Sequence, residues 1–129
     1  MLFYSELKDK IRKSRAGRPR IDNNTWAQFA SNGRDIEIIL HHTAVVIVRP
    51  DGNFEINSGG WQTLTTKNRI NKFSPAVVFQ RKWEWFVGEK GVPFRDGMVV
   101  NSKGTPIPAP PRPFSVTYAS VDVSPELRP

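Results

Sequence analysis

The chain has 129 residues, no cysteine and a formal net charge of +7 at pH 7. One domain is typical of this length, and the lack of cysteine excludes disulfides, thiolate catalysis and cysteine-ligated zinc. No segment has the long apolar core of a signal peptide or the ~20 apolar residues of a membrane-spanning helix, so we expect no membrane partner.

Residues 1–24 are predicted to form a basic N-terminal arm. Residues 1–20 contain seven lysines and arginines against two acidic residues, which accounts for +5 of the net charge of +7. The spacing of Leu7 and Ile11 permits a short helix, which Gly17 would end. Such an arm either contacts phosphate backbones or remains a solvated leader that keeps the protein soluble.

The arm contains the segment RAGRPR at residues 15–20. This segment resembles an AT-hook, a motif in which an extended Gly-Arg-Pro lies in a narrow A·T-rich minor groove while arginines reach the groove floor and the phosphates. Arg15, Arg18 and Arg20 are therefore the candidate nucleic-acid contacts of the arm.

Residues 25–100 are predicted to form a compact strand-rich domain. The run from Ile36 to Val48 is β-branched and alternates with a period of two, which predicts one strand near the centre of a sheet. Pro50-Asp51-Gly52 then favours a turn, because proline presets the first turn position and glycine accepts a positive φ. With the alternation that follows, this predicts a β-hairpin over residues 44–57.

The chain after this hairpin carries one predicted helix and two further pairs of strands. Thr65 or Thr66 would cap a short helix that ends before Ser74-Pro75. Alternating apolar residues predict a hairpin around Arg81-Lys82 and a strand pair, from residue 92 to residue 100, with a turn at Asp96-Gly97.

Residues 101–129 are predicted to form a proline-rich extended tail, in which residues 115–123 would dock as a last strand. The predicted fold class is α+β and strand-rich: a small twisted antiparallel sheet or partly closed barrel with one short helix, a basic N-terminal arm and a proline-rich C-terminal tail. The predicted core consists of Ile38, Leu40, Val46, Val48, Phe54, Ile56, Ile70, Phe73, Val77, Phe79, Trp85 and Val87.

The stretch from Asn23 to Val100 resembles a family of small proteins of unknown function encoded by tailed bacteriophages. The similarity is carried mainly by the block NSGGWQTLTTKNRIN, from Asn57 to Asn71, with shorter matches on either side of it. The resemblance implies a phage origin, and it implies no catalytic role because the family brings no known activity. The chain departs from the family pattern at Ala44, where an acidic residue is frequent.

The block at residues 57–71 is also the strongest candidate binding site. Two glycines allow the backbone to approach a ligand closely, and a helix N-terminus, hydroxyls and cations follow, all of which donate hydrogen bonds to phosphate. The alternative is that the glycines only turn the chain and the threonines only cap the helix. The candidate anion-binding residues are Ser58, Gly59, Gly60, Trp61, Thr63, Thr65, Thr66, Lys67 and Arg69.

No catalytic, metal or cofactor site is predicted. His41 and His42 would point to opposite faces of a strand, which prevents them from binding one metal ion together. They are the two histidines of the chain, so the paired His-x-Thr motifs of two-histidine phosphoesterases are incomplete.

We therefore expect a non-enzymatic phage accessory protein that acts in the host-cell cytoplasm and binds nucleic acid or another phosphate-containing ligand. One alternative is an anti-defence protein that binds a host immune protein or sequesters a nucleotide signal. A second alternative is a minor structural component of the virion.

Overall fold

A computed structural model describes residues 2–108 of the chain. Its helices are α1 (Tyr4–Lys13) and α2 (Leu64–Phe73), and its strands are β1 (Arg20–Asp22), β2 (Thr25–Phe29), β3 (Ile36–Leu40), β4 (Thr43–Val48), β5 (Phe54–Ile56), β6 (Val78–Arg81), β7 (Glu84–Val87), β8 (Val92–Pro93), β9 (Met98–Val100) and β10 (Pro106–Ile107). Seven strands form an antiparallel sheet in the order β1-β2-β3-β4-β5-β9-β10, and β6, β7 and β8 form a second antiparallel sheet. The fold is strand-rich as predicted, but both sheets are open, so the barrel alternative is wrong.

The predicted hairpin over residues 44–57 is confirmed in β4 and β5. Val48 pairs with Phe54, and the Arg49 N–H donates to the Asn53 carbonyl at 3.0 Å. Gly52 has a φ of 92°, a backbone conformation that glycine adopts without the steric cost of a side chain. The turn sequence and the apolar alternation therefore determine this hairpin together.

The predicted single strand from residue 36 to residue 48 is wrong, because the chain reverses at His41-His42. The His41 backbone has a φ of 56°, and its N–H donates to the Asn24 carbonyl at 2.8 Å. The two halves, β3 and β4, pair with each other. A strand of that length would extend over roughly 40 Å, whereas the reversal lets both apolar halves share one compact core.

The N-terminal segment is part of the folded domain. Leu7 and Ile11 of α1 are 0% and 4% exposed and belong to the same buried cluster as Ile70 of α2 and Ile38 of β3. Strand β1 then pairs with β2 at one edge of the large sheet. The fold thus has α1, the helix that the spacing of Leu7 and Ile11 permitted, in addition to the one helix of the predicted fold class. The segment predicted as an arm is packed against the sheet up to Asp22.

Ten of the twelve predicted core residues are buried, and Val77 and Phe79 are not. Val77 is 61% exposed, while the next residue, Val78, is 2% exposed. Strand side chains alternate between faces, so a shift by one residue exchanges the buried and exposed sets. The predicted face of β6 was the wrong one.

The Asp96-Gly97 turn is present, with the Met98 N–H donating to the Arg95 carbonyl at 3.1 Å. The strands on its two sides do not pair with each other as predicted, because β8 joins β7 while β9 joins β5. The turn therefore connects the two sheets.

Within the predicted proline-rich tail, β10 adds to the edge of the large sheet, where a proline costs no interstrand hydrogen bond on its open side. The last strand predicted at residues 115–123 lies outside the described residues. Over residues 2–108, neither helix is long and apolar enough to cross a membrane.

Candidate functional site

The turn between β3 and β4 brings two histidines to the surface next to each other. His41 and His42 are both exposed, and both line one cleft. The expectation that they would occupy opposite faces of a strand is wrong, because they form the turn and not the strand. The described residues contain no group of three side chains that could hold a metal ion, and the two imidazoles line the cleft.

The loop after β5 is fixed by a carboxylate from the distant Asp96. The Ser58 backbone N–H and its hydroxyl both donate to the Asp96 carboxylate at 2.7 Å. Gly59 approaches Thr43 so closely that a Cβ atom at position 59 would lie 2.5 Å from the Thr43 methyl group, and Gly59 also has a φ of 63°. Gly59 is therefore required for the loop to pack against the start of β4.

Helix α2 begins at Leu64, with Thr63 as its N-cap. The Thr63 hydroxyl oxygen accepts from the Thr66 N–H at 3.2 Å, and the two hydroxyls lie 3.0 Å apart. The predicted cap at Thr65 or Thr66 is wrong, because the helix already begins at Leu64 and places both threonines inside its first turn. The N–H groups of the first turn, at Leu64 and Thr65, have no acceptor within the helix.

Trp61 extends into solvent from a backbone that is held at both ends. Its N–H donates to the Ser58 carbonyl at 3.0 Å, and its carbonyl accepts from the Thr63 N–H at 2.9 Å. The indole is nevertheless 68% exposed. An exposed aromatic ring on a fixed backbone is suited to contact a ligand, because little conformational entropy is lost on binding.

The histidine turn, the loop and the start of α2 enclose a cleft of about 460 Å³. This volume lies within the range of roughly 300–1,000 Å³ that is typical of small-ligand sites. Apolar side chains, two imidazoles, an indole and several hydroxyls surround it, so it offers stacking surfaces together with hydrogen-bonding groups. It is lined by Leu40, His41, His42, Thr43, Val45, Ser58, Trp61, Thr63, Thr65 and Thr66.

The two cations of the predicted anion site do not line this cleft. Arg69 turns away to the β1–β2 connection, where its Nε donates to the Thr25 hydroxyl at 2.9 Å and its Nη2 donates to the Asn23 carbonyl at 3.2 Å. Its side chain is 13% exposed. Lys67 is half-buried on α2. The start of α2 thus contributes hydroxyl groups to the cleft, whereas the two cations of the 57–71 block lie outside its lining.

A carboxylate completes the network around Arg69. Asp22 accepts from Lys72 Nζ at 2.7 Å and lies 3.6 Å from Arg69 Nε. The hydrogen bond from Lys72 is the largest of the effects that lower the pKa of Asp22 below its ordinary value. Asp22, Arg69 and Lys72 thus tie α2 to β1 and serve the fold.

The three arginines predicted to contact nucleic acid are exposed on the segment that runs from the end of α1 to the first residue of β1. Arg15 has no side-chain partner within the described part of the chain, whereas the Arg18 guanidinium lies 5.1 Å from the centre of the Trp26 ring. Arg20 donates to the Asp22 carbonyl at 3.2 Å and to Asn23 Oδ1 at 3.1 Å. Within the Gly-Arg-Pro segment, the Arg18 side chain therefore contacts a ring of the fold, and Gly17 has a φ of 69°, which is not extended.

The contribution of His41 and His42 to the cleft was not predicted from the sequence. A signal was present: a pair of polar residues interrupts an apolar run that is otherwise suited to two strands. The hydrogen bonds between Ser58 and Asp96 were not predicted either, because the two residues are 38 positions apart and no local sequence pattern connects them.

Comparison with known proteins gives one assignment. No curated protein and no solved structure matches the chain. Residues 5–101, which include α2, the cleft, β9 and all but the first residue of α1, match the family described as Kyanoviridae Gp96 protein. The chain therefore belongs to the Kyanoviridae Gp96 family, a family of tailed-bacteriophage proteins, in agreement with the predicted phage origin.

Proposed function

We propose that this phage-encoded chain is a non-enzymatic accessory protein that binds nucleic acid or another phosphate-rich partner in the infected cell. The observation that supports this most strongly is the row of cations on the folded N-terminal segment. Six lysine and arginine side chains between Lys10 and Arg20 are exposed. Of these six, only Lys13 has an ion-pair partner within residues 2–108.

These cations are presented on a fixed surface. Leu7 and Ile11 hold α1 in the core, and the contact between Arg18 and Trp26 restrains the segment that follows. Charges on an ordered surface lose less conformational entropy on binding than charges on a disordered arm. A row of cations also favours a polyanion, because each phosphate that is neutralised releases counterions.

Replacement of Arg15, Arg18 and Arg20 with alanine tests this proposal. The triple variant should bind a short labelled DNA duplex more weakly than the wild type. The negative slope of log affinity against log salt concentration should become shallower by about two to three units, since each lost phosphate contact removes roughly one unit. Fluorescence anisotropy over a series of sodium chloride concentrations measures both quantities.

The matched control removes three exposed cations elsewhere: Lys90, Arg95 and Lys103. It changes the net charge by the same amount, so it should leave the salt slope nearly unchanged. Equal effects of the two triple variants would mean that net charge alone acts, which contradicts the proposal. A pull-down of the protein from infected cells, with and without nuclease, tests the class of partner. If it recovers a single host or virion protein in both cases, the partner is that protein and not nucleic acid.

A second candidate function is the sequestration of a nucleotide, and the cleft beside Trp61 favours it. A nucleotide presents a flat base and a phosphate. Trp61 offers a stacking surface, and the hydroxyls and free amides at the start of α2 offer hydrogen bonds to the phosphate. The 460 Å³ cleft has room for one such unit.

Trp61→Ala separates this function from the first. Isothermal titration calorimetry with adenosine 5′-monophosphate and with adenosine should show tighter binding of the phosphorylated ligand to the wild-type protein. Trp61→Ala should weaken both by about fivefold or more, the usual effect of losing a base–aromatic contact. As the control, Phe3→Leu removes an exposed aromatic ring outside the cleft and should leave both affinities unchanged. If neither ligand binds the wild type, the cleft is not a nucleotide site.

A further inference from the structure

The three-stranded sheet has one face in the core and one face open. Val78, Trp85 and Val87 are buried. The other face carries Phe79 and Phe86, which are directly opposite each other in the strand register and are both half-buried. Their ring centroids lie 5.8 Å apart with an interplanar angle of 29°. This stacked pair forms a partly exposed aromatic surface.

Cations border this aromatic pair. The Arg81 guanidinium lies 5.5 Å from the centre of the Phe79 ring, and the exposed Lys82 follows at the tip of the hairpin. Arg81 faces Glu84 across the hairpin, without an ion pair between them within the described residues. The edge of the aromatic surface is therefore suited to a negatively charged partner.

Trp83 occupies the tip of the same hairpin in a conformation that is unfavourable for a tryptophan. Lys82 and Trp83 have φ values of 50° and 72°, the sign pattern of a two-residue turn that normally contains asparagine and glycine. A bulky residue with a positive φ is strained, and the Trp83 indole is 88% exposed. Neither the turn nor the core accounts for a tryptophan here, which indicates a role in binding.

We propose that the β6–β7 hairpin and its open face bind single-stranded nucleic acid. Bases stack on Trp83 and on the Phe79–Phe86 pair, and Arg81 and Lys82 contact the phosphates. Stacking platforms bordered by cations are the usual means of binding single strands without sequence preference. A duplex keeps its base faces stacked inside, so this site discriminates against it. The site is separate from the basic N-terminal segment and from the cleft.

Two variants of the full chain test the site: Trp83→Gly and Phe79→Leu. The probe is a fluorescein-labelled oligothymidylate of about 12 nucleotides, a length that covers one such platform. Trp83→Gly should lower the affinity by about 5- to 100-fold, the range expected for a lost base–aromatic stack. Its thermal midpoint should not fall, because glycine adopts the positive φ without strain. Phe79→Leu keeps the apolar volume and removes the ring, and it should lower the affinity in the same direction.

The controls distinguish this site from the other two. Phe3→Leu removes another exposed aromatic ring that belongs to neither the cleft nor the hairpin, and it should leave oligothymidylate binding unchanged. A loss of oligothymidylate binding in Trp61→Ala but not in Trp83→Gly would place the strand in the cleft and overturn this site. Trp83→Gly should leave duplex binding unchanged, whereas the triple arginine variant should weaken it. One outcome would overturn this site and leave the proposed function intact. In that outcome the triple arginine variant loses duplex binding, and Trp83→Gly binds the oligothymidylate like the wild type.

Two further results would also overturn the site. The first is wild-type affinity for oligothymidylate in both hairpin variants. The second is self-association of the wild-type protein in the absence of nucleic acid, measured by sedimentation and abolished by Trp83→Gly. That result would assign the face to a second copy of the chain.

Discussion

Arg69 lies at the centre of a hydrogen-bond network that joins α2 to the first two strands. It donates to the Thr25 hydroxyl, the Asn23 carbonyl and the Asn68 side chain. Thr25 is fully buried, and its own hydroxyl donates to the Asn23 carbonyl at 2.7 Å. Such a network makes the loss of one partner costly, because the remaining buried groups are left with fewer hydrogen bonds than they need.

Arg69→Ala should therefore destabilise the protein. We expect the free energy of unfolding in urea to decrease by about 1–3 kcal/mol, the usual effect of leaving a buried polar group without its partner. Lys67→Ala, on the same helix but without an ion pair or side-chain hydrogen bond among residues 2–108, should change it by less than about 0.5 kcal/mol. Equal unfolding curves for the two variants would show that the network contributes little.

Residue type alone did not reveal which members of the 57–71 block support the fold. The Asn71 side chain donates to the Val78 carbonyl at 3.0 Å and accepts from the Val78 N–H at 2.7 Å. It thereby makes the two backbone hydrogen bonds that a neighbouring strand would otherwise make at the start of β6. Arg69 and Ser58 also have partners in distant segments. The sequence could identify the block as a polar cluster, but its division into fold-supporting residues and exposed residues such as Trp61 depends on contacts 38–46 residues away.

At the level of elements, local signals predicted the β4–β5 hairpin and the α2 helix well. Both carry their determinants within a few residues: the turn at Pro50-Asp51-Gly52, and the threonines at the start of α2. The β3–β4 reversal was not predicted, because His41-His42 lacks the glycine or asparagine of a typical turn and the apolar run continues on both sides. Here the reversal is determined by the pairing of β3 with β4 and by the hydrogen bond from His41 to Asn24.

The exchange between sheets at β8 and β9 could not be predicted from local sequence. A turn at Asp96-Gly97 is compatible with a hairpin or with a crossing between sheets, because turn chemistry fixes the chain reversal and not the partner strand. The carboxylate of Asp96 bonds to Ser58, and the Gly97 N–H donates to the Ile56 carbonyl at 2.9 Å. These two contacts join the turn to β5 and its following loop, and thereby direct β9 into the large sheet.

At the scale of the whole molecule, the positive charge of the N-terminal segment and the packing of the core are linked through α1. One face of this helix carries Leu7 and Ile11 into the buried cluster. The remaining surface carries Lys10, Arg12 and Lys13, which are exposed. The count of charges predicted an unpacked arm because the segment has few apolar residues. Those few residues lie on the same helical face, which is sufficient to pack the helix against the core.

Leu7→Ala tests whether α1 is part of the cooperative fold. Leu7 is fully buried, so the loss of its side chain should lower the free energy of unfolding by about 2–5 kcal/mol, through lost apolar burial and the cavity that remains. Lys10→Ala, on the exposed face of the same helix, should change it by less than about 0.5 kcal/mol. Urea unfolding followed by tryptophan fluorescence measures both. If Leu7→Ala unfolds like Lys10→Ala, α1 is not held in the core, and the cations that follow it would no longer be presented on a fixed surface.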